Sequence, residues 1–254
     1  MPSAVAGYEG RFDAFGWHLI ARVRRLRRSL PHGTPSLIDL GMGRGRDILF
    51  LGRHGFRVFG VDIDPRRVEK AKRRSARIGV PIAARIGDLR RLRLPRRFDV
   101  VFSSTFLNHL PPDLRPMRLA EFRSWTVPGG LHVVNALRAS AGARTAPDLE
   151  PGMTPFGRGE LQRYYRSWEI LDSGTVRTDC DFGGRPHRHV ADFVVARRPS
   201  GSRPRRGPAA RVGPPGAPGR RIGVRARGFR TTVPGRPRDA TGNRTATTVS
   251  PTGR

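Results

Sequence analysis

The sequence predicts an α/β fold: a doubly wound, mostly parallel seven-stranded sheet with helices on both faces. Three observations predict it. Apolar runs of strand length alternate with helix-like patterns through residues 36–197. A glycine-rich turn joins the first run to the first helix that follows it, and helix start and stop residues fall between the later runs.

Strands are expected near 36–41, 57–62, 82–87, 98–104, 131–137, 168–178 and 188–197. Helices are expected near 45–54, 65–78, 112–126 and 158–166, with another before the first strand near 11–29. Asp64-Pro65 marks the start of the second of these helices, since Asp64 can cap it and proline fits its first turn. Pro128-Gly129-Gly130 is expected to end the helix that carries Trp125 and to turn the chain into Leu131-His132-Val133-Val134. In such a sheet a ligand sits outside the carboxyl ends of the strands.

The stretch Ile38-Asp39-Leu40-Gly41-Met42-Gly43-Arg44-Gly45-Arg46-Asp47 falls at one of those ends. Gly41, Gly43 and Gly45 suit a tight loop whose backbone a ligand can approach, because no Cβ stands in the way. Their spacing is G-x-G-x-G, whereas the dinucleotide fingerprint is G-x-G-x-x-G, so a nicotinamide or flavin site and an ordinary structural turn are the competing readings. An acidic pair tips the balance toward a nucleoside cofactor. Asp39 precedes the glycines, and Asp62 closes Val58-Phe59-Gly60-Val61, where its carboxylate can accept both hydroxyls of a ribose.

On five pieces the chain resembles the class I S-adenosylmethionine-dependent methyltransferases. These are Leu37-Ile38-Asp39-Leu40-Gly41-Met42-Gly43-Arg44-Gly45, Gly60-Val61-Asp62-Ile63-Asp64-Pro65, Gly87-Asp88-Leu89, Phe98-Asp99-Val100-Val101-Phe102-Ser103-Ser104 and Val127-Pro128-Gly129-Gly130. They occur in that family's order and cover roughly residues 36–137. The resemblance implies a Rossmann-like methyltransferase fold that binds S-adenosylmethionine. The Gly41–Gly45 loop, Met42 included, would hold the methionine part, Asp62 the ribose, and Asp88 with Leu89 the adenine. Asp39, Ile63 and Ser104 complete the implied cofactor set. Met42 stands where the family often has cysteine.

A narrower resemblance lies further on. Thr154-Pro155-Phe156, Gly159-Glu160-Leu161, Tyr164-Tyr165, Trp168-Glu169 and Arg177-Thr178-Asp179 look like the tellurite-resistance (TehB-type) methyltransferases, which act on oxidised tellurium or selenium species. That group's Gly-Glu-Leu helix, tyrosines and tryptophan cover the cofactor cleft. It often has a histidine directly before the Arg-Thr-Asp run, where this chain has Val176.

Methyl transfer asks mainly for alignment, since the sulfonium methyl is already activated. An oxyanion acceptor would suit Arg177 and Arg185, because a guanidinium makes bidentate, charge-assisted contacts. A neutral acceptor would instead call for a base, for which His109 and His187 are candidates. Arg177, Arg185 and His187 are therefore the expected catalytic residues. His187 and His189 alternate on one strand face, but with no third ligand suitably spaced no metal is expected. Tyr164, Tyr165 and Trp168 are read as packing.

Composition sets outer limits. The single cysteine, Cys180, excludes an internal disulfide. No run approaches the 18–20 apolar residues of a membrane span, and a cytoplasmic protein is expected. The formal charge is +29, carried almost wholly by arginine, with only Lys70 and Lys72 as lysines. With abundant glycine, proline and alanine, that pattern matches what a GC-rich coding sequence produces without selection for binding. The arginines at 22–28 and 90–97 allow weak, non-specific nucleic-acid binding through counterion release. Residues 1–35 read as a helical lead-in, 36–198 as the methyltransferase domain, and 199–254 as a disordered tail, about one third glycine and proline. The expected partner is a small-molecule substrate; an RNA methyltransferase using the basic patches, or a non-catalytic basic binding module, are the alternatives.

Overall fold

The computed structural model describes residues 13–139, 150–180 and 186–200. Arg185 and the tail beyond Ser200 lie outside the described residues. In chain order the elements are α1 (Asp13–Leu26), β1 (Ser36–Leu40), α2 (Arg46–Arg53), β2 (Arg57–Asp62), α3 (Pro65–Ile78), β3 (Ala83–Ile86) and β4 (Phe98–Ser103). There follow α4 (Arg115–Ser124), β5 (Thr126–Leu137), α5 (Glu160–Arg163), β6 (Glu169–Cys180) and β7 (His187–Arg197).

The seven strands form one sheet in the order β3-β2-β1-β4-β5-β7-β6. The first five run parallel, and β7 enters antiparallel to both β5 and β6. The strand order therefore reverses between β1 and β4, which is where open α/β sheets place their ligands.

Strand periodicity divides the core. Leu37, Val58, Val100, Phe102, Leu131 and Val133 point to one face, where Leu19, Ile20 and Val23 of α1 and Ile48 and Leu51 of α2 cover them. Their neighbours Ile38, Leu40, Val101, Val134 and Ala136 point to the other face, against Leu119 and Phe122 of α4 and Trp125, Leu161 and Tyr165. β1 and β4 are buried along their whole length, which is why they read as unbroken apolar runs rather than alternating ones. Each large core side chain contributes about 1.5–3 kcal/mol by leaving water.

Helix ends follow the expected chemistry at α3. The Asp64 carboxylate accepts the Arg66 N–H at 2.8 Å, Pro65 fills the first turn, and Gly79 closes the helix in the left-handed region. The Pro128-Gly129-Gly130 expectation needs correction: the helix ends at Ser124, and β5 already begins at Thr126, which pairs with Phe98. Gly130 lies so close to β4 that a Cβ there would sit 2.8 Å from the Asp99 carbonyl, so this glycine serves strand contact and not the turn. The helix expected over 158–166 is only four residues long. None of the helices among the described residues is long and apolar enough to cross a membrane.

Candidate active site

The loop after β1 is tied down by backbone and carboxylate. The Gly41 and Met42 N–H groups both donate to the Val61 carbonyl, at 2.9 and 3.0 Å, fastening the loop to the end of β2. Asp62 then takes the Gly43 N–H on one carboxylate oxygen at 2.8 Å and the Asp64 N–H on the other at 2.9 Å. A single buried acid thus fixes both the glycine loop and the start of α3. Met42 packs down over Gly60, where any Cβ would collide with its sulfur, and touches Ile48 in the core.

A cavity of about 930 Å³ opens above this loop, within the range of small-molecule sites. Asp39, Gly41, Met42 and Gly43 line it from β1, Asp62 and Ile63 from β2, Asp88 and Leu89 from beyond β3, and Ser104 from beyond β4. Nine of the ten expected cofactor positions therefore meet in one space. Gly45 is the exception. It stands at the N-terminus of α2 with φ +73°, and a Cβ there would come within 2.6 Å of the Ala71 Cβ, so it permits α3 to pack rather than facing the cavity. Gly43 is its counterpart, with φ +55° and nothing within 4 Å of where a Cβ would point.

The floor of the cavity is acidic. Burial pushes the Asp39 carboxyl well above the usual carboxylate range, and the nearby Asp47 and Asp62 raise it further. Asp39 is 3% exposed, and its carboxylate takes no hydrogen bond from the described residues. Asp88 shifts the other way. The Arg90 guanidinium bonds both its oxygens, at 2.9–3.2 Å, and holds it below the ordinary carboxylate value. A cationic ligand with a flat nucleoside body fits these features: open space over bare backbone at Gly43, and acids at the ends of three neighbouring strands.

Of the other wall, sequence reasoning had named only His109, as a candidate base. Thr105, Phe106, His109 and Pro111 follow Ser104 into the cavity, and Leu137 and the segment Glu150–Met153 close over it. Thr105 is the one non-glycine residue with positive φ among the described residues, at +63°. The Asn135 side-chain oxygen holds it there by accepting its N–H at 2.6 Å. Asn108, fully buried, bonds the Leu137 N–H and carbonyl and the Thr154 carbonyl, joining the end of β5 to the covering segment. Arg115 is 1% exposed and anchors the same segment through the Thr154 carbonyl at 2.6 Å and Glu160 at 2.9 Å, beneath Phe156. The post-β4 residues could have been found by extending the Ser104 expectation along the chain; residues 150–153 carried no local signal.

Two of the expected catalytic residues, Arg177 and His187, lie elsewhere. Arg177 is on β6 opposite Val190, and His187 opens β7 opposite Cys180, with its ring nitrogen 2.9 Å from that of His189. Both stand toward the carboxyl-end rim of the sheet, but three and two strands beyond β4 respectively, and neither lines the cavity. Arg185 is not among the described residues. Val176 packs into the core. Tyr165 and Trp168 do not cover the cleft: they surround buried His132, whose Nδ1 lies 2.9 Å from the Tyr165 hydroxyl. None of the described residues form a group of three or more His, Cys, Asp or Glu side chains able to hold a metal ion.

Residues 37–130 match the family model described as a methyltransferase domain. With the strand order and the acid-floored loop, this defines a class I S-adenosylmethionine-dependent methyltransferase domain. Within that class the chain is similar to the TehB type: it is 24% identical over 136 residues to the probable S-adenosyl-L-methionine-dependent methyltransferase TehB of Haemophilus influenzae, covering 54% of this chain and 46% of TehB. The TehB crystal structure superposes with a TM-score of 0.61 at 19% identity, over 72% of this chain and 62% of that one. Hemagglutinin 1 of Eikenella corrodens is 28% identical over 165 residues, 64% of this chain and 54% of that protein. The ubiquinone biosynthesis O-methyltransferase of Paramagnetospirillum magneticum is 32% identical over 139 residues, 53% and 55% respectively. The chain thus spans about half the length of the curated relatives it matches.

Proposed function

We propose that this chain transfers the methyl group of S-adenosylmethionine to a small-molecule acceptor. One observation carries the reading: a single cavity runs from the acidic floor at Asp39 and Asp62 to the Phe106, Leu137 and Met153 wall, giving a cofactor end and an acceptor end in continuous space. The bound cofactor supplies an activated sulfonium methyl. The protein's share is to bind and align: Gly43 offers bare backbone, Asp62 the acceptor oxygens for ribose hydroxyls, Asp47 and Asp62 a field that favours positive charge, and Asp88 with Leu89 a place for the adenine. Alignment of this kind is worth up to about 7–11 kcal/mol of barrier. The acceptor is a small nucleophile, with a thiol, a hydroxyl or a chalcogen oxyanion as the candidates; likeness to TehB supports the last and likeness to an O-methyltransferase the second.

The test is calorimetric titration with S-adenosylmethionine and S-adenosylhomocysteine, followed by a labelled-methyl screen against phenols, thiols, tellurite, selenite and total RNA. Binding by the native chain is expected, weakened at least about tenfold, or 1.4 kcal/mol, in Asp62→Ala. A folded native chain that binds neither compound would overturn the methyltransferase reading; label passing only to RNA would overturn the small-molecule part.

A further inference from the structure

At the acceptor end of the cavity His109 faces Glu150, whose other oxygen is held by Arg67, beside apolar walls. His109 ends a 3-10 turn, Phe106–His109, and its ring lies nearly parallel to that of Phe106, 27° apart with centroids at 6.3 Å. Phe106, Leu137 and Met153 line the same space. The His109 Nε2 is 3.7 Å from a Glu150 carboxylate oxygen, and Nδ1 has no hydrogen-bond partner among the described residues.

Three charged groups face His109 from the elements around it: Glu150 from the covering segment, Arg67 from α3 and Asp62 from β2. Arg67 is already committed, at 3.0 Å to Glu150 and 3.5 Å to Asp64, so it is not a guanidinium waiting for an oxyanion. The expected oxyanion holder Arg177 does not line this space. The pocket end therefore has an imidazole, a carboxylate to orient it and hydrophobic walls, and these match a different acceptor from an inorganic anion. Burial holds the His109 ring below the usual histidine value, leaving it neutral and proton-accepting near pH 7.

We propose that His109, oriented by Glu150, is the general base for a protic acceptor with an apolar body, a phenol or thiol. This rests on the methyltransferase reading above. As the acceptor oxygen or sulfur bonds to the methyl carbon, the carbon–sulfur bond of the cofactor breaks with its electron pair left on sulfur. The acceptor proton passes to His109 Nδ1 and leaves later to water. A cation and a neutral acceptor become a neutral thioether, a methylated product and one imidazolium, so charge and atoms balance. Glu150, facing Nε2, favours the tautomer with its proton there and steadies the imidazolium.

The test compares native protein, His109→Gln and Glu150→Gln on two acceptors, phenol and 4-nitrothiophenol, the second ionised before it binds. On phenol, His109→Gln is expected to lose about a hundred- to ten-thousandfold in kcat/KM and the falling acid limb of the native pH profile. On 4-nitrothiophenol it is expected to stay within about threefold, because no proton needs removing. Cofactor affinity measured by calorimetry should be unchanged in both variants. Independently of turnover, nitrogen-15 NMR of native protein loaded with S-adenosylhomocysteine should show the His109 ring gaining a proton as 4-nitrophenol is added, with weaker uptake in Glu150→Gln. Equal loss on both acceptors, or no loss on phenol, would overturn the assignment of His109. Turnover of neither acceptor by a native chain that binds cofactor would overturn the acceptor class, and absence of cofactor binding in the native chain would strike the underlying reading instead.

Discussion

Alanine at Gly43 and alanine at Gly45 should fail in opposite ways, although the two residues sit two positions apart in one loop. Both have positive φ, +55° and +73°, so each substitution carries the left-handed penalty of an L-residue, about 1–2 kcal/mol. At Gly43 nothing further is lost in the fold, because the new methyl would enter open space. At Gly45 the methyl would lie 2.6 Å from the Ala71 Cβ, where carbon atoms rest at about 3.5–4.0 Å, so α3 has to back away by about 1 Å. Overpacking of this kind costs about 1–3 kcal/mol more, giving about 2–5 kcal/mol for Gly45→Ala against about 1–2 for Gly43→Ala. Affinity should rank the other way: the Gly43→Ala methyl occupies the space a ligand needs and should weaken S-adenosylhomocysteine binding at least about tenfold. Urea denaturation gives the first quantity and calorimetric titration the second. The reasoning is refuted if Gly43→Ala binds like the native protein, or if Gly45→Ala proves no less stable than Gly43→Ala.

Two other outcomes follow from buried polar groups. His132 is fully buried and held down to a pKa of about 3, chiefly by desolvation, against 6.5 when unfolded. Below pH 6.5 the unfolded chain therefore binds a proton that the fold refuses, so stability falls on acidification, by on the order of 2 kcal/mol between pH 6.5 and 5. His132→Phe should flatten that slope in denaturation curves taken at several pH values, with a residual slope left by His18, itself lowered to about 4. Asn135→Ala removes the acceptor that holds the Thr105 N–H in its left-handed conformation; a loss of about 1–3 kcal/mol and faster hydrogen exchange at the Thr105 amide are expected.

Most of the sheet could be read from the sequence because its signals are local. β1 and β4 are continuous apolar runs since both faces are covered, and Asp64-Pro65 caps α3 without help from distant residues. That the residues named for a cofactor line one cavity was legible for the same reason: they lie at the ends of successive parallel strands, so order in sequence becomes adjacency in space. That rule fails beyond β5. β7 inserts between β5 and β6, and this lateral order, unmarked by any local pattern, carries Arg177 to the edge strand. The Glu150–Met153 wall was equally hidden, because it is held by Asn108 and Arg115, whose roles emerge only from contacts 39–46 residues apart in the chain.

Charge gives the clearest case of composition and site pointing in different directions. A chain of formal charge +29 would be expected to favour anions everywhere. Yet six of its 20 acidic residues, Asp39, Asp47, Asp62, Asp64, Asp88 and Glu150, line one cavity, against five arginines there. Of those arginines, Arg46, Arg67 and Arg90 are each paired with one of the same acids. The cavity lining consequently does not share the large positive surplus of the chain. A charge surplus spread over the surface governs weak, salt-screened attraction at distances near the Debye length, whereas Asp47 and Asp62 act within a few ångströms of anything held beside the glycine loop. Charge inside the cavity is therefore set by these local acids and the arginines paired with them, and not by the surplus that the whole chain carries.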